Sequence, residues 1–303
     1  MAVTASAAGV TISNPDKVWW PDEGITKLDI ARHYERVGPR LVPWTTDRPI
    51  TAERCPDGML GHCFFQKNFA SAEKLGIPTR AVRAASVKRT VNYPVADDVA
   101  TLVRLVNLGA LTLHLMNCRA ATLRQPDWVA FDLDPAERFA DAVRAALVLR
   151  EILDDLGVRG YPKTTGGKGL HVVVPLRSGP GHDDVMAFAH AVAERMVAKA
   201  PRLVTTSFAK SGRGGRLYID VARNIFGATI VAPYAVRRRP HAPVSTPLAW
   251  DEVRLELEPS TLNVLTLPAR LSKDDPWRRF WRDRQALPHL GEQPSRRRRR
   301  ALA

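Results

Sequence analysis

A chain of 303 residues with 45% hydrophobic side chains holds enough apolar material for one large or two small domains, which excludes a disordered protein. A formal net charge of +14 and a sequence pI near 10.2 predict attraction to polyanions, either nucleic acid or an acidic membrane surface. The arginine run from Arg296 to Arg300 is a cheap, solvated part of that charge, and the rest of the chain stays basic without it. There is no apolar run long enough to span a bilayer and no basic leader, so neither export nor membrane insertion is expected. Cys55, Cys63 and Cys118 form no C-x-x-C pair, cannot all pair, and match no zinc template with His62 or His114; they read as ordinary thiols in a reducing cytoplasm.

In chain order, Thr26 is placed to cap a helix, with Asp29 three residues on and Leu28, Ile30, Ala31, Tyr34 and Val37 on its apolar side; Gly38-Pro39 predicts its end. Short apolar stretches over 48–66 are separated by Cys55-Pro56-Asp57-Gly58, a hairpin-like turn that puts Phe64 and Phe65 at a strand end. Asp97 or Asp98 caps a helix carrying Leu102, Leu105 and Val106 and closing near Gly109, after which the chain reads as irregular. Trp128 to Asp134 reads as a strand, residues 139–156 as a helix stopped by Gly157, and Lys163 to Gly169 as a turn into the strand Leu170 to Pro175. A helix from about Asp184 and a strand at Arg216 to Asp220 complete a mixed α/β half whose strand directions the sequence leaves open. Pro240 to Pro247 is extended, and Trp277, Phe280 and Trp281 predict a final helix anchored by aromatics.

Two apolar runs, Phe131-Asp132-Leu133-Asp134-Pro135 and Leu217-Tyr218-Ile219-Asp220, end on carboxylates. Alternation along a strand puts Asp132 and Asp134 on one face, their Cβ atoms roughly 6–7 Å apart, so the like charges need a counter-ion. A pair of hard cations about 3.5–4 Å apart, clamped by carboxylates, is the usual equipment for nucleotidyl transfer. A strand-end turn with two solvated acids is the plainer alternative. Lys163-Thr164-Thr165-Gly166-Gly167-Lys168-Gly169-Leu170-His171 adds glycine-freed backbone N–H groups, a hydroxyl, a lysine and a histidine, the groups a triphosphate needs, although it is no Walker A loop. Arg213, Arg223, Arg237, Arg238 and Arg239 flank the third acid, and arginine's planar fork suits phosphate oxygens. Lys17 and Lys27, near a helix start, can take a DNA phosphate, and Phe64-Phe65-Gln66-Lys67 pairs aromatics with a cation as base-stacking surfaces do.

These motifs, with Ser13-Asn14-Pro15-Asp16-Lys17-Val18, Phe64-Phe65-Gln66-Lys67-Asn68, Val231-Ala232-Pro233-Tyr234 and Pro243-Val244-Ser245-Thr246-Pro247, resemble the polymerase domain of bacterial ligase D, of the archaeo-eukaryotic primase superfamily. The likeness runs from about residue 10 to 283. It implies an α/β (α+β) primase-polymerase fold of mixed sheets flanked by helices. The expected layout is a flexible N-terminus at 1–9, a catalytic domain at 10–285 divided into a DNA-binding part (10–120) and a catalytic part (121–285), and a basic disordered tail at 286–303. No ligase or nuclease segment is evident, which leads to the expectation of a stand-alone polymerase relative.

The resemblance further implies that Asp132, Asp134 and Asp220 hold two divalent ions, manganese by preference and magnesium as the alternative. Thr165, Lys168, His171, Arg213 and Arg237 would contact the triphosphate of an NTP or dNTP, with Thr165 standing where the family usually has serine, and His114 would lie near the sugar in a ribonucleotide-tolerant site. Lys17 and Lys27 would grip a downstream 5′-phosphate at gaps or ends of DNA, and Phe64 and Phe65 would stack on the template. Ku and a separate DNA ligase are the expected protein partners, in a bacterial cytoplasm at the nucleoid, during non-homologous end joining.

One departure bears on activity. Glu53 stands where the family has a lysine before the Pro-Asp-Gly turn, a charge reversal that weakens phosphate binding unless Arg54 or a metal compensates. The segment after His114 also lacks the proline and tryptophan often found there. A non-catalytic DNA end-binding paralogue is therefore the second reading. A phosphatase of the haloacid-dehalogenase kind is a third, since Phe-Asp-Leu-Asp resembles its nucleophile motif, but Pro135-Ala136 follow where that motif continues with Gly-Thr.

Overall fold

The computed structural model describes residues 5–84, 89–288 and 290. Residues 5–9, expected to be flexible, instead form a hairpin with those that follow: β1 (Ser6–Ala7) pairs antiparallel with β2 (Val10–Thr11), and Ala7 is buried. β3 (Val18–Trp20) and β4 (Ile25–Thr26) make a second small hairpin that delivers the chain into α1 (Lys27–Thr45). Thr26 caps α1 as expected, accepting from the Asp29 amide while the Asp29 carboxylate returns to the Thr26 amide.

The expected stop at Gly38-Pro39 is overturned: α1 runs through Gly38, Pro39 and Pro43 to Thr45. Burial of Val37, Leu41 and Trp44 outweighs the backbone bonds the prolines cannot make. Gly38 serves another purpose, because a Cβ there would stand 2.6 Å from Val99 Cγ2 on the next helix. The missing side chain lets Val99 pack directly against the α1 backbone.

β5 (Ile50–Arg54) and β6 (Phe64–Gln66) pair across the predicted turn, β7 (Thr79–Ala84) and β8 (Arg89–Pro94) form a hairpin, and α2 (Val99–Asn107) is capped by Asp98. The stretch read as irregular is β9 (Ala110–Met116), a central strand paired with β5. Then come β10 (Trp128–Asp134), α3 (Phe139–Asp155), β11 (Tyr161–Thr164), β12 (Leu170–Pro175), α4 (His182–Lys199), β13 (Val204–Thr205), β14 (Leu217–Asp220), β15 (Thr229–Val231) and the short α5 (Leu267–Leu271). Lys163 and Thr164, read as turn, thus lie on a strand. The final helix expected around Trp277 is a series of turns, in which Trp277, Phe280 and Trp281 close around Trp44 with ring centroids 4.4–5.1 Å away. Of the tail expected to be disordered at 286–303, residues 286–288 and 290 are described, with Leu287 and Leu290 packed against the core that includes α3 and α4, and the rest lies outside the described residues.

Two sheets organise the molecule, in the orders β11-β12-β10-β14-β13 and β15-β9-β5-β6. In the first, β10 is antiparallel to both β12 and β14. One face of that sheet, with Val129, Phe131, Leu133, Leu170, Val172 and Ile219, packs under α3 and α4 as one core. The opposite face, through Trp128, Ala130 and Val173, joins the core built by α1, α2 and the second sheet. Residues 230–280 return to that same core, so the cores do not divide at residue 120. This is a mixed α+β fold. Cys55 and Cys63 are joined by a disulfide across the β5–β6 connection, contrary to their reading as free thiols, whereas Cys118 is a buried thiol. The sequence count alone could not show which cysteines the hairpin brings together.

Candidate active site

Alternation along β10 explains its acids. Trp128 and Ala130 are buried on the same face as Asp132 and Asp134, and that face leaves the core where the two carboxylates begin. The register then supplies the third acid: Asp132 lies directly opposite Asp220, and Asp134 opposite Tyr218, so all three carboxylates share one face. On the other side of β10, Asp132 is opposite His171.

Cations are already arranged around these acids. Arg223 reaches Asp132 through Nε at 3.3 Å and Asp220 through Nη2 at 3.0 Å. Its position is set by Asn224, whose side chain exchanges two 2.8 Å hydrogen bonds with the backbone of Ala130 on β10. His171 Nε2 stands 3.4 Å from Asp132, and Arg213 Nη1 3.6 Å from Asp134. Burial works to raise the Asp132 carboxyl, but His171, Arg223 and Lys163 outweigh it and hold it below the usual carboxylate range. Burial, with the charge of Asp132, pushes Asp220 up despite Arg223. The two facing acids are therefore pulled apart in acidity.

Among the described residues, no three His, Cys, Asp or Glu side chains already converge closely enough to hold a metal ion. The donor set nonetheless fits hard divalent cations: three carboxylates on one face, two of them opposed, with one guanidinium between them that a dication would replace.

A cavity of about 290 Å³ opens beside Asp132 and Asp134, lined by His114, Thr165, Gly167, Lys168, Gly169, His171, Arg223, Val231, Arg237 and Arg239. Thr165 shapes its floor by accepting from the amides of Gly167 (3.2 Å) and Gly169 (3.3 Å). Gly166, at φ +67°, packs where a Cβ would lie 2.4 Å from Arg237 Cγ. Lys168 is exposed and donates to the Ala136 carbonyl. His114 Nε2, His171 Nδ1 and Arg237 Nε are buried without a partner in the protein, three polar atoms in want of a ligand. Burial, with the neighbouring cations, lowers both histidines, His171 to about 4 and His114 to about 3, so both are neutral at physiological pH. Lys163, fully buried and bonded to Ser245 Oγ, is likewise pushed well down by burial and by Arg237.

The second sheet forms the facing wall. Thr51 is opposite His114, and Glu53 opposite both Thr112 and Phe65. Glu53 pairs with Arg238 at 3.3 Å, so the reversed charge is answered by Arg238. Arg54, the compensator considered from sequence, is instead tied to the Leu108 carbonyl and Gln66. Phe64 and Phe65 occupy opposite faces of β6: Phe65, 61% exposed, meets the His114 ring edge-on at 5.5 Å, while Phe64 stacks on His62. Farther off, Lys27 is buried and donates to Ser13 O and Oγ at 2.7 and 2.9 Å; burial and the charge of Lys17 lower it to about 8. Lys17 is joined to it through the backbone and pairs with Asp57.

The structure thus brings Asp132, Asp134, Asp220, His114, Thr165, Lys168, His171, Arg213 and Arg237 together and sets the lysine pair apart. Arg223 and Arg239 are site residues that sequence reading left among the flanking charges. Only the pairing of β10 with β14 distinguishes Arg223 from its neighbours.

An acid-lined, arginine-rich cleft borders the two sheets, with side chains suited to phosphate groups held alongside divalent ions. Residues 26–277 match the family model of the LigD primase-polymerase domain. The chain is 33% identical over 296 residues to the multifunctional non-homologous end joining protein LigD of Pseudomonas aeruginosa, a match covering 94% of this chain and 34% of that protein. It is 31% identical over 277 residues to the bifunctional LigD of Bacillus subtilis, covering 90% and 44%. Its fold superposes on the polymerase domain of Mycobacterium tuberculosis ligase D, a structure in complex with DNA, with a TM-score of 0.84 and 30% identity, covering 91% and 99% of the two chains. The chain belongs to the LigD primase-polymerase family, whose setting is non-homologous end joining. It spans about a third of the length of LigD from Pseudomonas aeruginosa. Among the described residues, no helix is long and apolar enough to cross a membrane.

Proposed function

We propose that this chain is a template-directed primase-polymerase that adds nucleotides to a primer 3′-hydroxyl, filling gaps and extending paired ends during double-strand break repair. The observation that carries this reading is Asp132 facing Asp220 across β10 and β14, with Asp134 on the same face and the arginine-lined cavity alongside.

Asp132, Asp134 and Asp220 would hold two divalent ions, manganese before magnesium, which when bound lower the pKa of the 3′-hydroxyl and neutralise the leaving pyrophosphate. Thr165, Lys168, His171, Arg213 and Arg237 hold and orient the triphosphate. The primer 3′-oxygen attacks the α-phosphorus, the bond to the α–β bridging oxygen breaks, and its electron pair departs with pyrophosphate. The hydroxyl proton passes to Asp220 or to a water beside it. His114, neutral and unpartnered at Nε2, donates to or accepts from the sugar, which suits a ribonucleotide as well as a deoxyribonucleotide.

Lys17 and Lys27 take the downstream 5′-phosphate, and Phe65 and Phe64 the template. Ku, a separate DNA ligase and a place at the nucleoid follow from the same reading. The inert end-binder would need Glu53 to abolish nucleotide affinity, and the Arg238 pair removes the force of that argument.

A gapped duplex with a recessed 3′-hydroxyl and a downstream 5′-phosphate, offered with each nucleotide type and manganese or magnesium, tests the proposal. The parent extends it, Asp132→Ala does not, and Lys27→Ala loses the preference for the phosphorylated gap. A parent that binds this DNA but never extends it contradicts the proposal.

A further inference from the structure

Phe208 is 82% exposed, the most exposed large apolar side chain among the described residues, yet it lies against the acid-bearing face. It sits in the loop between β13 and β14 and meets the Tyr218 ring edge-on, with centroids 6.3 Å apart. Tyr218 is the cross-strand partner of Asp134, and its hydroxyl lies 3.5 Å from Asp220. One ring therefore separates Phe208 from two of the three acids.

The loop that presents Phe208 is held in place. The Arg213 guanidinium lies 4.1 Å from the Tyr218 ring centre and donates to the carbonyls of Ser207 and Phe208 at 3.3 and 3.0 Å. At Gly212 a Cβ would come within 2.4 Å of Ser207 Oγ, so the turn closes tightly beneath the exposed ring. A phenylalanine held out of the core by its own loop gives up the burial that the core aromatics keep, and its open ring face is free to take a planar partner.

Strand order sets the side of the site on which Phe208 lies. The first sheet runs β11-β12-β10-β14-β13, so the cavity over β12 and the β11–β12 turn lies on one side of β10, and Tyr218 and Phe208 lie on the other. In an in-line displacement the attacking and leaving oxygens stand on opposite sides of phosphorus. With the triphosphate in the cavity, the attacking hydroxyl arrives over β14. We propose that Phe208 stacks on the terminal base of the primer strand and thereby holds its 3′-hydroxyl toward Asp220, with exposed Lys210 of the same loop supplying charge to the primer phosphates. The assignment rests on the polymerase reading above. Stacking on an aromatic face also tolerates any base, as extension of arbitrary broken ends requires.

The test uses a gapped duplex with 2-aminopurine at the primer 3′ end, bound by the full chain without nucleotide, followed by steady-state extension of the same duplex. Emission of the terminal probe changes on binding the parent and Phe208→Trp but not Phe208→Ala, while anisotropy shows all three bound. In extension, Phe208→Ala raises KM for primer roughly 10-fold, within the range a lost base–aromatic stack produces, leaves KM for nucleotide within about twofold, and Phe208→Tyr restores it. Identical emission changes and identical primer KM for Phe208→Ala and parent overturn the assignment while leaving the polymerase reading intact. A parent that alters the probe through Phe208 but extends nothing sinks the polymerase reading and keeps the contact.

Discussion

Asp132 and Asp220 oppose each other across neighbouring antiparallel strands, and a single guanidinium, that of Arg223, spans both. Two carboxylates so placed repel each other, and the arginine relieves that repulsion when no dication is present. The same arrangement makes Arg223 a competitor of the metal ions.

Replacing Arg223 by alanine should therefore strengthen manganese binding in the absence of nucleotide. Thermal melting with and without the ion checks this: saturating manganese raises Tm more in Arg223→Ala than in the parent, with a linkage gain of about 3 kcal/mol when the ion is at 100 times its dissociation constant. Equal shifts would mean that the guanidinium does not contest the site.

Acid should destabilise the fold through its buried histidines. His33 donates from Nε2 to the Tyr234 carbonyl at 2.8 Å, and burial, aided by Arg36, lowers it to about 4 from a usual 6.5. The unfolded chain thus binds the proton more readily, and stability falls as pH drops from 6.5 toward 4, by up to about 3 kcal/mol for this group. Urea titrations across that window should show a shallower loss in His33→Gln, whose amide can still donate.

Gly38→Ala should destabilise despite alanine's better helix propensity. The added Cβ meets the Val99 methyls at 2.6 and 2.7 Å, an overpacking cost of about 1–3 kcal/mol against a propensity gain near 1 kcal/mol. Adding Val99→Ala should recover part of the loss, a non-additivity that a double-mutant cycle in urea measures directly.

At the lysine pair, the lowered Lys27 ammonium sets a pH limit. Because Lys27 titrates near 8, preference for a 5′-phosphorylated gap should decline as pH rises through that value. Lys27→Ala should lose the preference by roughly 10-fold or more at neutral pH, as expected for a charge-assisted hydrogen bond. Competition binding of phosphorylated and hydroxyl-ended gaps resolves both effects.

Much of the site could be read in advance wherever local chemistry is strong. Thr26 with Asp29, the cap at Asp98, and the strand from Trp128 to Asp134 all follow from side chains acting on their own backbone or alternating across one sheet. β9 was missed although Leu111, Leu113 and Leu115 alternate with Thr112 and His114 as a strand should, and β11 because Lys163 is a charged residue inside a core. The glycine and prolines of α1 mislead for tertiary reasons, the approach of Val99 to Gly38 and the burial of Val37, Leu41 and Trp44. The Cys55–Cys63 bond and the part played by Arg223 depend on which strands pair, which no local pattern encodes.

Counting bound manganese tests the central claim most directly. Titration of the ion followed by electron paramagnetic resonance, with a non-hydrolysable nucleotide present, should give two ions per parent chain and fewer for Asp220→Asn, whose melting temperature stays near that of the parent. Two ions bound equally by Asp220→Asn and parent would contradict the claim that Asp132, Asp134 and Asp220 together form the catalytic centre.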